Sequence, residues 1–331
     1  MIKDPTAQAN PTAGAALRSP RYRLRRFLLY RLPQYLFVLA CVPKLLRLAK
    51  EHDIIQVFQP NLLAFIAVIA ARLHRKRVIA RDATCGGMSE LDDFLLGASI
   101  ASFVASHCDF VAISREVEAD LLKRGVSADH IVRVPNAVEL PSDPADDSGE
   151  ENTVITVGNL KGDSLQKGFD VLILAWKRVT ARMPQARLTI VGEGDFSAFA
   201  DLTRSLGIAA SVHFAGPQVD VGAWLRANAI FVLPSRQEGM SNALLEAMSF
   251  ARPCVVTNVS GSNELIEDGV NGLKVPKESP ESLAEAVIAL LERPAFATLL
   301  GRNARESVAK SHQPDDIARQ YVSLYRSLLH R

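Results

Sequence analysis

LPSRQEGMSNALLEAMSFARPCVV, residues 233–256, packs a strand end, a turn, a helix and a second strand into one short run. An apolar segment stops at Leu233, the polar turn PSRQEGM follows, a helix is predicted to begin near Ser241, and PCVVT returns as a β-branched strand. Strands alternating with helices in this way indicate a parallel sheet covered by helices. Glu238 stands just before the helix and Glu246 lies two turns into it. The free N–H groups and positive dipole end at such a helix start suit a diphosphate or a sugar hydroxyl. Gly239, lacking a side chain, lets the backbone approach a ligand closely.

The same rhythm continues outward. TVITVG, RLTIVG, SVHF and AIFVL read as strands on the N-terminal side, and Phe169, Leu172, Ile173, Trp176 and Val179 fall at helical spacing between the first two. A later helix opens at Ser279-Pro280-Glu281, with a capping side chain, a first-turn proline and an acid favoured by the dipole. Further forward, PSDPADDSGEEN reads as an exposed linker. Ahead of it DIIQVF, RVIA, DFVAIS and IVRV are strands, separated by helices such as LLAFIAVIAARLH and REVEADLLKRG. The expected organisation is a mobile tail at 1–17, an N-terminal lobe at 18–140, a linker at 141–152, a C-terminal lobe at 153–312 and a closing helix at 313–331 that packs back toward the N-terminal lobe. Both lobes are expected to be doubly wound and Rossmann-like, with ligand sites at the carboxyl ends of their strands facing one cleft.

A chain of 331 residues, 48% apolar and 22% charged, has enough apolar surface for two globular domains. Its net charge of +2 hides an asymmetry. Ten of the 38 Lys and Arg, but only one of the 36 acids (Asp4), fall in residues 1–50, leaving 28 bases against 35 acids, a net −7, for the rest. Basic character confined to one end, in a chain otherwise net acidic, argues against nucleic acid as a partner. Cys41, Cys85, Cys108 and Cys254 form no Cys-x-x-Cys pair and the seven histidines show no metal spacing. Asp92-Asp93 reads as a solvated helix start, so neither a metal site nor a disulfide framework is expected. No secretory signal is visible, which makes a reducing cytoplasm the expected compartment. RYRLRRFLLYRLPQYLFVLACVPKLLRLAK reads as helix interrupted by Pro33 and Pro43, basic first and apolar afterwards. Arg31, Pro33 and Gln34 break the run of about 20 apolar residues that a membrane span needs. Residues 18–50 are therefore read either as a helix lying on an anionic membrane surface or as a domain helix with a solvated basic face.

The spacing Glu238-x7-Glu246, inside P-S-x-x-E-G and closing on E-A-M, resembles the donor-site signature of the family four retaining glycosyltransferases (glycosyl transferases group 1), enzymes of the two-lobed GT-B fold. Similarity runs on through VSGSNELIEDGVNGLKV, back through RLTIVGEGD and SVHFAG to cover residues 152–310, and forward into HDIIQVFQPNLLAFIAVIAARL and CDFVAISREVEADLLKRGV. The resemblance implies a nucleotide-diphosphate-sugar donor, an acceptor hydroxyl, and neither cofactor nor metal. It implies that Glu246 accepts hydrogen bonds from the ribose hydroxyls, work suited to an ionised carboxylate. Glu238 would lie beside the transferred sugar, and Gly216, Gly239, Met240, Ser241 and Asn242 would line the donor. In TVITVGNLKGDSLQKGFDVLILAW, Lys167-Gly168 fits the family's Lys-Gly pair, while its arginine is replaced by Asn159 in a loop two residues longer. Lys161 is then the neighbouring substitute for the missing charge. Cations aimed there stabilise the charge collecting on a departing diphosphate. VGEGD lacks the third glycine of a dinucleotide fingerprint and reads as a tight turn lining the cleft.

Around RVIARDATCGGMSELDDF, Ala83 stands where many relatives have histidine. Arg81 with Cys85-Gly86-Gly87 resembles the cation and Gly-rich turn of others, making Arg81, Gly86 and Gly87 the acceptor-side expectation. Relatives also open with a buried strand and a glycine loop, whereas residues 1–50 offer a polar tail and basic, Pro-broken helices. Either the true start lies upstream, or the N-terminal sheet is reduced and acceptor binding weak; the donor lobe is expected intact in both cases. The activity implied is retaining transfer to a sugar or lipid-linked acceptor in bacterial surface polysaccharide or glycolipid assembly, peripheral at the inner face of the cell membrane. Two alternatives stand beside it: a donor-binding protein with little turnover, which Asn159 favours, and another GT-B enzyme such as a sugar-nucleotide epimerase.

Overall fold

The computed structural model describes residues 32–84, 86–92, 96–142, 149–160 and 164–330. The tail, the basic run as far as Arg31, Cys85, Asp93 and Lys161 lie outside these residues. Two all-parallel sheets, each covered by helices, give the expected α/β architecture.

The front half runs α1 (Leu32–Glu51), β1 (Ile54–Val57), α2 (Leu62–Leu73), β2 (Arg77–Asp82), α3 (Ser89–Asp92), α4 (Gly97–His107), β3 (Asp109–Ala112), α5 (Arg115–Lys123) and β4 (Ile131–Arg133). Its strands lie in the order β1-β2-β3-β4, parallel throughout. β3 is buried at every position, as a strand covered on both faces must be. Side chains of Asn61 and Ser114 cap α2 and α5 by accepting from Leu63 N at 3.0 Å and Val117 N at 3.3 Å. α1 corrects the expectation of a Pro-broken segment, because it is one helix with Pro43 inside it. Pro33 sits in the first turn, where its missing N–H is no loss, and the carbonyl that Pro43 cannot serve belongs to Leu39, at an exposed position that water can reach.

The second half runs β5 (Glu150–Val157), α6 (Phe169–Arg182), β6 (Arg187–Val191), α7 (Ser197–Ser205), β7 (Val212–Gly216), α8 (Val221–Ala227), β8 (Asn228–Leu233), α9 (Asn242–Ser249), β9 (Cys254–Thr257), α10 (Ser260–Leu265), β10 (Leu273–Val275), α11 (Pro280–Leu291) and α12 (Pro294–Ser311). The strand order is β10-β9-β8-β5-β6-β7, so the chain reverses its direction of travel across the sheet between β5 and β8. β5 starts at Glu150, inside the stretch read as linker, because Glu150 pairs with Asn228 ahead of a register shift where Asn152 takes a left-handed φ of 61°. β10, a three-residue edge strand, is too short for periodicity to reveal. Phe169, Leu172, Ile173, Trp176 and Val179 of α6 are all buried, one stripe of the second core.

A last helix, α13 (Pro314–Leu329), lies against the front sheet: Ile317, Leu324 and Leu328 form a buried cluster with Ile79, Val111 and Val134. The lobes also touch directly. A Cβ on Gly239 would stand 2.6 Å from the Ala83 carbonyl oxygen, so only glycine allows that approach.

Candidate functional site

The loops after β5, β6, β7 and β8 surround a cavity of about 430 Å³ at the point where the strand order reverses. Open α/β sheets bind ligands at such a crevice. Gly158 and Asn159, Gly192 and Glu193, Pro217 and Gln218, and the turn entering α9 each contribute a section of wall, and Lys167 reaches it from the start of α6.

Gly168 explains that reach. It takes φ +65° as the residue preceding α6, and a Cβ there would lie 2.0 Å from the Pro234 carbonyl oxygen, so the chain can press this tightly against the turn after β8 only as glycine. Lys167 Nζ donates to Glu238 Oε1 at 2.7 Å, and Ser235 Oγ donates to the same oxygen at 2.7 Å. The Glu238 side chain is 11% exposed and that of Lys167 32%, so the pair sits in the cavity wall and not in bulk solvent. An ammonium has three protons, which leaves two on Lys167 for an anion.

Glu246 lies in the second turn of α9 on the same wall, half-buried, with no side-chain partner among the described residues. Burial pushes its carboxyl pKa above the ordinary glutamate value. Ser241 caps α9 by accepting from Leu244 N at 3.3 Å, and Met240 and Asn242 complete this side of the wall. Asn159 is on the wall as a tie, its Oδ1 accepting from Glu193 N at 2.8 Å; a neutral amide held by a backbone N–H does not replace a cation. Gly216 lies beneath the wall, its carbonyl accepting from Gly192 N at 3.0 Å.

One cation beside the site went unread. Arg236, in the PSRQEGM turn, places Nη1 and Nη2 each 2.7 Å from the Asp170 carboxylate and also pairs with Glu278. The hydrogen bonds it donates to Asp170 hold its guanidinium pKa above the ordinary value. Arg236 is thus spent on fastening the turn to the start of α6, a job that a contact 66 residues away in sequence reveals and spacing does not.

A second cavity, about 420 Å³, opens at the carboxyl ends of β1 and β2. Phe58, Arg81 and Asn136 wall it from the front lobe, Tyr321 and Tyr325 from α13, and Asn242 from α9. Asn242 therefore belongs to both cavities. Asn136 bridges the lobes: its Oδ1 accepts from Arg81, while its Nδ2 donates to Asn242 Oδ1 at 2.7 Å and to the Met240 carbonyl at 3.4 Å. Gly86 and Gly87, expected with Arg81 on the acceptor side, are not on this wall. The Gly86 N–H donates to Asp120 Oδ2 at 3.0 Å, and a Cβ on Gly87 would stand 2.2 Å from Asp82 Oδ1, so the turn packs β2 against its own lobe. A third cavity, about 230 Å³ and including Gly149, Arg252 and Leu290, lies at the opposite ends of the second sheet and holds none of the expected residues. Among the described residues no group of His, Cys, Asp or Glu side chains is placed to hold a metal ion, and no helix is long and apolar enough to cross a membrane.

Residues 151–293 match the sequence profile of the family described as glycosyl transferases group 1. An uncharacterized glycosyltransferase of Haemophilus influenzae is 27% identical over 255 residues, 76% of this chain and 70% of its own length. The lipopolysaccharide core biosynthesis glycosyltransferase LpsE of Rhizobium meliloti is 31% identical over 163 residues, 49% of this chain and 47% of its own length. Among solved structures, Anabaena Alr3699/HepE in complex with UDP superposes with a TM-score of 0.77 at 20% identity, covering 86% of this chain and 82% of that one. This last likeness is one of fold, the GT-B arrangement of two facing lobes.

Proposed function

We propose, on the similarity of residues 151–293 to the group 1 glycosyl transferases, that the chain moves a sugar from a nucleotide-diphosphate donor, bound in the cavity of the C-terminal lobe, to a hydroxyl presented from the N-terminal lobe. Glu246 carries the reading: a half-buried carboxylate without a side-chain partner among the described residues opens on the same cavity as Lys167 and the start of α9. The paired hydroxyls of a ribose satisfy such a carboxylate, and a diphosphate takes the free protons of Lys167 and the N–H groups of α9. The UDP bound to the Anabaena protein of the same fold supports a nucleoside diphosphate here.

In the proposed step the acceptor oxygen bonds to the anomeric carbon as the bond from that carbon to the diphosphate oxygen breaks. The acceptor proton passes to the departing diphosphate on the same face, so configuration is retained. Lys167 neutralises the charge that develops on the leaving group. Glu238, held by Ser235 and Lys167, lies beside the sugar and steadies positive charge at the anomeric carbon. The role of the Rhizobium relative supports a surface saccharide or glycolipid as acceptor. The exposed Leu36, Phe37 and Leu39 of α1, followed by Lys44, Arg47 and Lys50, suit a peripheral position on an anionic membrane face.

Calorimetry with a panel of nucleoside diphosphates tests the reading. Glu246→Ala is expected to lower the affinity of the best binder on the order of 10- to 100-fold, the loss of hydrogen bonds to a charged group. Unchanged affinity in a folded variant removes the ribose assignment. A parent chain that neither binds any of the panel nor hydrolyses the corresponding sugar donors removes the transferase reading itself.

A further inference from the structure

We propose that the cavity between β1, β2 and α13 is the acceptor subsite and that it selects an anionic saccharide, one bearing a phosphate or a carboxylate. Arg81 is the anion contact, and Phe58, Tyr321 and Tyr325 are the walls on which the sugar rings stack. The word acceptor rests on the transferase reading; the preference for an anion does not.

Charge is the first argument. Among the described residues the wall of this cavity carries no acidic side chain, and Arg81 is its single charged group. Among the described residues Arg81 is hydrogen-bonded to Asn136 Oδ1 and is paired with no carboxylate. A guanidinium carries five N–H donors in a planar fork, and one amide oxygen leaves most of that fork unused. Half-buried, it loses part of its hydration without gaining a counter-charge, and phosphate or carboxylate is the group whose geometry the fork matches.

Surface character is the second. Phe58 directly follows β1 and is 71% exposed. Tyr321 and Tyr325 stand one helical turn apart on α13 with ring centroids 5.9 Å apart, and Tyr325 is fixed by donating its hydroxyl hydrogen to Gln56 Oε1. Three aromatic faces around a polar opening, with the amides of Gln56, Asn136 and Asn242 in reach, suit sugar rings, which are apolar on their faces and polar at their edges. The volume of about 420 Å³ lies within the range of small-ligand clefts.

Position is the third. Asn242 is common wall to this cavity and to the donor cavity, and Asn136 ties it to Arg81. A saccharide anchored at Arg81 therefore presents its hydroxyls toward the donor, and the helix that closes the chain takes part in recognition.

The test uses the full chain, with UDP present to occupy the donor cavity, titrated by ligand-observed NMR with methyl glucoside, methyl glucuronoside and glucose 1-phosphate. At least one of the two anionic sugars is expected to bind 10-fold or more tightly than the neutral one; which of them does so identifies carboxylate or phosphate. Arg81→Gln is expected to erase that preference, a loss on the order of 10- to 100-fold for the anionic sugar, with Arg81→Lys intermediate because it keeps the charge and loses the fork. Tyr321→Ala should weaken neutral and anionic sugars by the same factor. Equal binding of all three sugars by the parent chain overturns the proposal. So does an Arg81→Gln variant that loses UDP affinity while keeping its sugar preference, which would give Arg81 to the donor diphosphate. If the chain binds no nucleotide yet still prefers the anionic sugar, the transferase reading fails and the anion site stands.

Discussion

The two cavities share Asn242 and differ in almost everything else. Among the described residues, the one in the C-terminal lobe has Glu193, Glu238 and Glu246 on its wall against a single cation, Lys167. The one facing the N-terminal lobe has, among the described residues, no acid, one cation and three aromatic rings. Carboxylates are acceptors for neutral hydroxyls, so an acid-rich wall with one lysine suits a ligand that is mostly sugar and ribose with a compact anionic centre. A wall without an acid among the described residues, and with a guanidinium fork engaged there by one amide oxygen, suits an anion borne on a sugar. The contrast also extends to construction. The first cavity is made by successive loops of one sheet, whereas the second draws on both lobes and on α13.

Lys167→Ala should separate them most sharply. Turnover of the donor is expected to fall on the order of 100- to 1,000-fold, the usual cost of removing one group that stabilises transition-state charge, while saccharide binding at Arg81 stays unchanged. Loss of both, read by donor hydrolysis and sugar titration on one sample, would mean that the cavities do not work independently.

Gly239→Ala addresses the seam. Its Cβ meets the Ala83 carbonyl of the facing lobe at 2.6 Å, so the lobes must separate slightly. A stability loss of about 1–3 kcal/mol is expected from such overpacking, measurable as a lower urea midpoint. An unshifted midpoint would show that the lobes yield freely at this contact.

A smaller effect comes from the charge of Glu246. Its folded pKa is raised by burial, so in the window above the ordinary glutamate value the folded state binds more protons than the unfolded one, and stability falls as pH rises through that window. Glu246→Gln should therefore melt slightly higher than the parent near neutral pH, with the advantage vanishing in acid. Nucleotide affinity of the parent should move oppositely, weakening on acidification as the carboxylate takes up its proton. Melting curves and calorimetry across about pH 4 to 7 check both signs.

The smallest expected effect is none. Lys167 and the N–H groups of α9 supply the positive potential for the diphosphate, so transfer rates should survive EDTA. Loss that magnesium or manganese restores would show that the donor enters as a metal complex.

How far these features were legible follows from the same contrast. The alternation of strands and helices and the buried stripe of α6 can be read from local runs, because strand–turn–helix units place their own side chains, whereas the roles expected of Lys167, Glu238 and Glu246 come from the family resemblance. Reading failed where a neighbour distant in sequence decided the outcome. Arg236 looks like one more cation in a polar turn until Asp170 and Glu278 are seen to hold it. Gly86 and Gly87 look like a ligand loop until Asp120 takes the amide of the first. Pro43 looks like a break, yet the helix continues at a surface where water can serve the freed carbonyl.

From its own residues the chain determined two parallel sheets and the loops that surround the first cavity, because hydrophobic period, caps and glycines act over a few residues and do not wait for the rest of the molecule. Tertiary structure alone decided the second cavity. Gln56 and Tyr325 are 269 residues apart, and Asn136 and Asn242 are 106 apart; packing α13 against the front sheet and closing one lobe upon the other brings them together, and no local preference of either segment encodes that meeting.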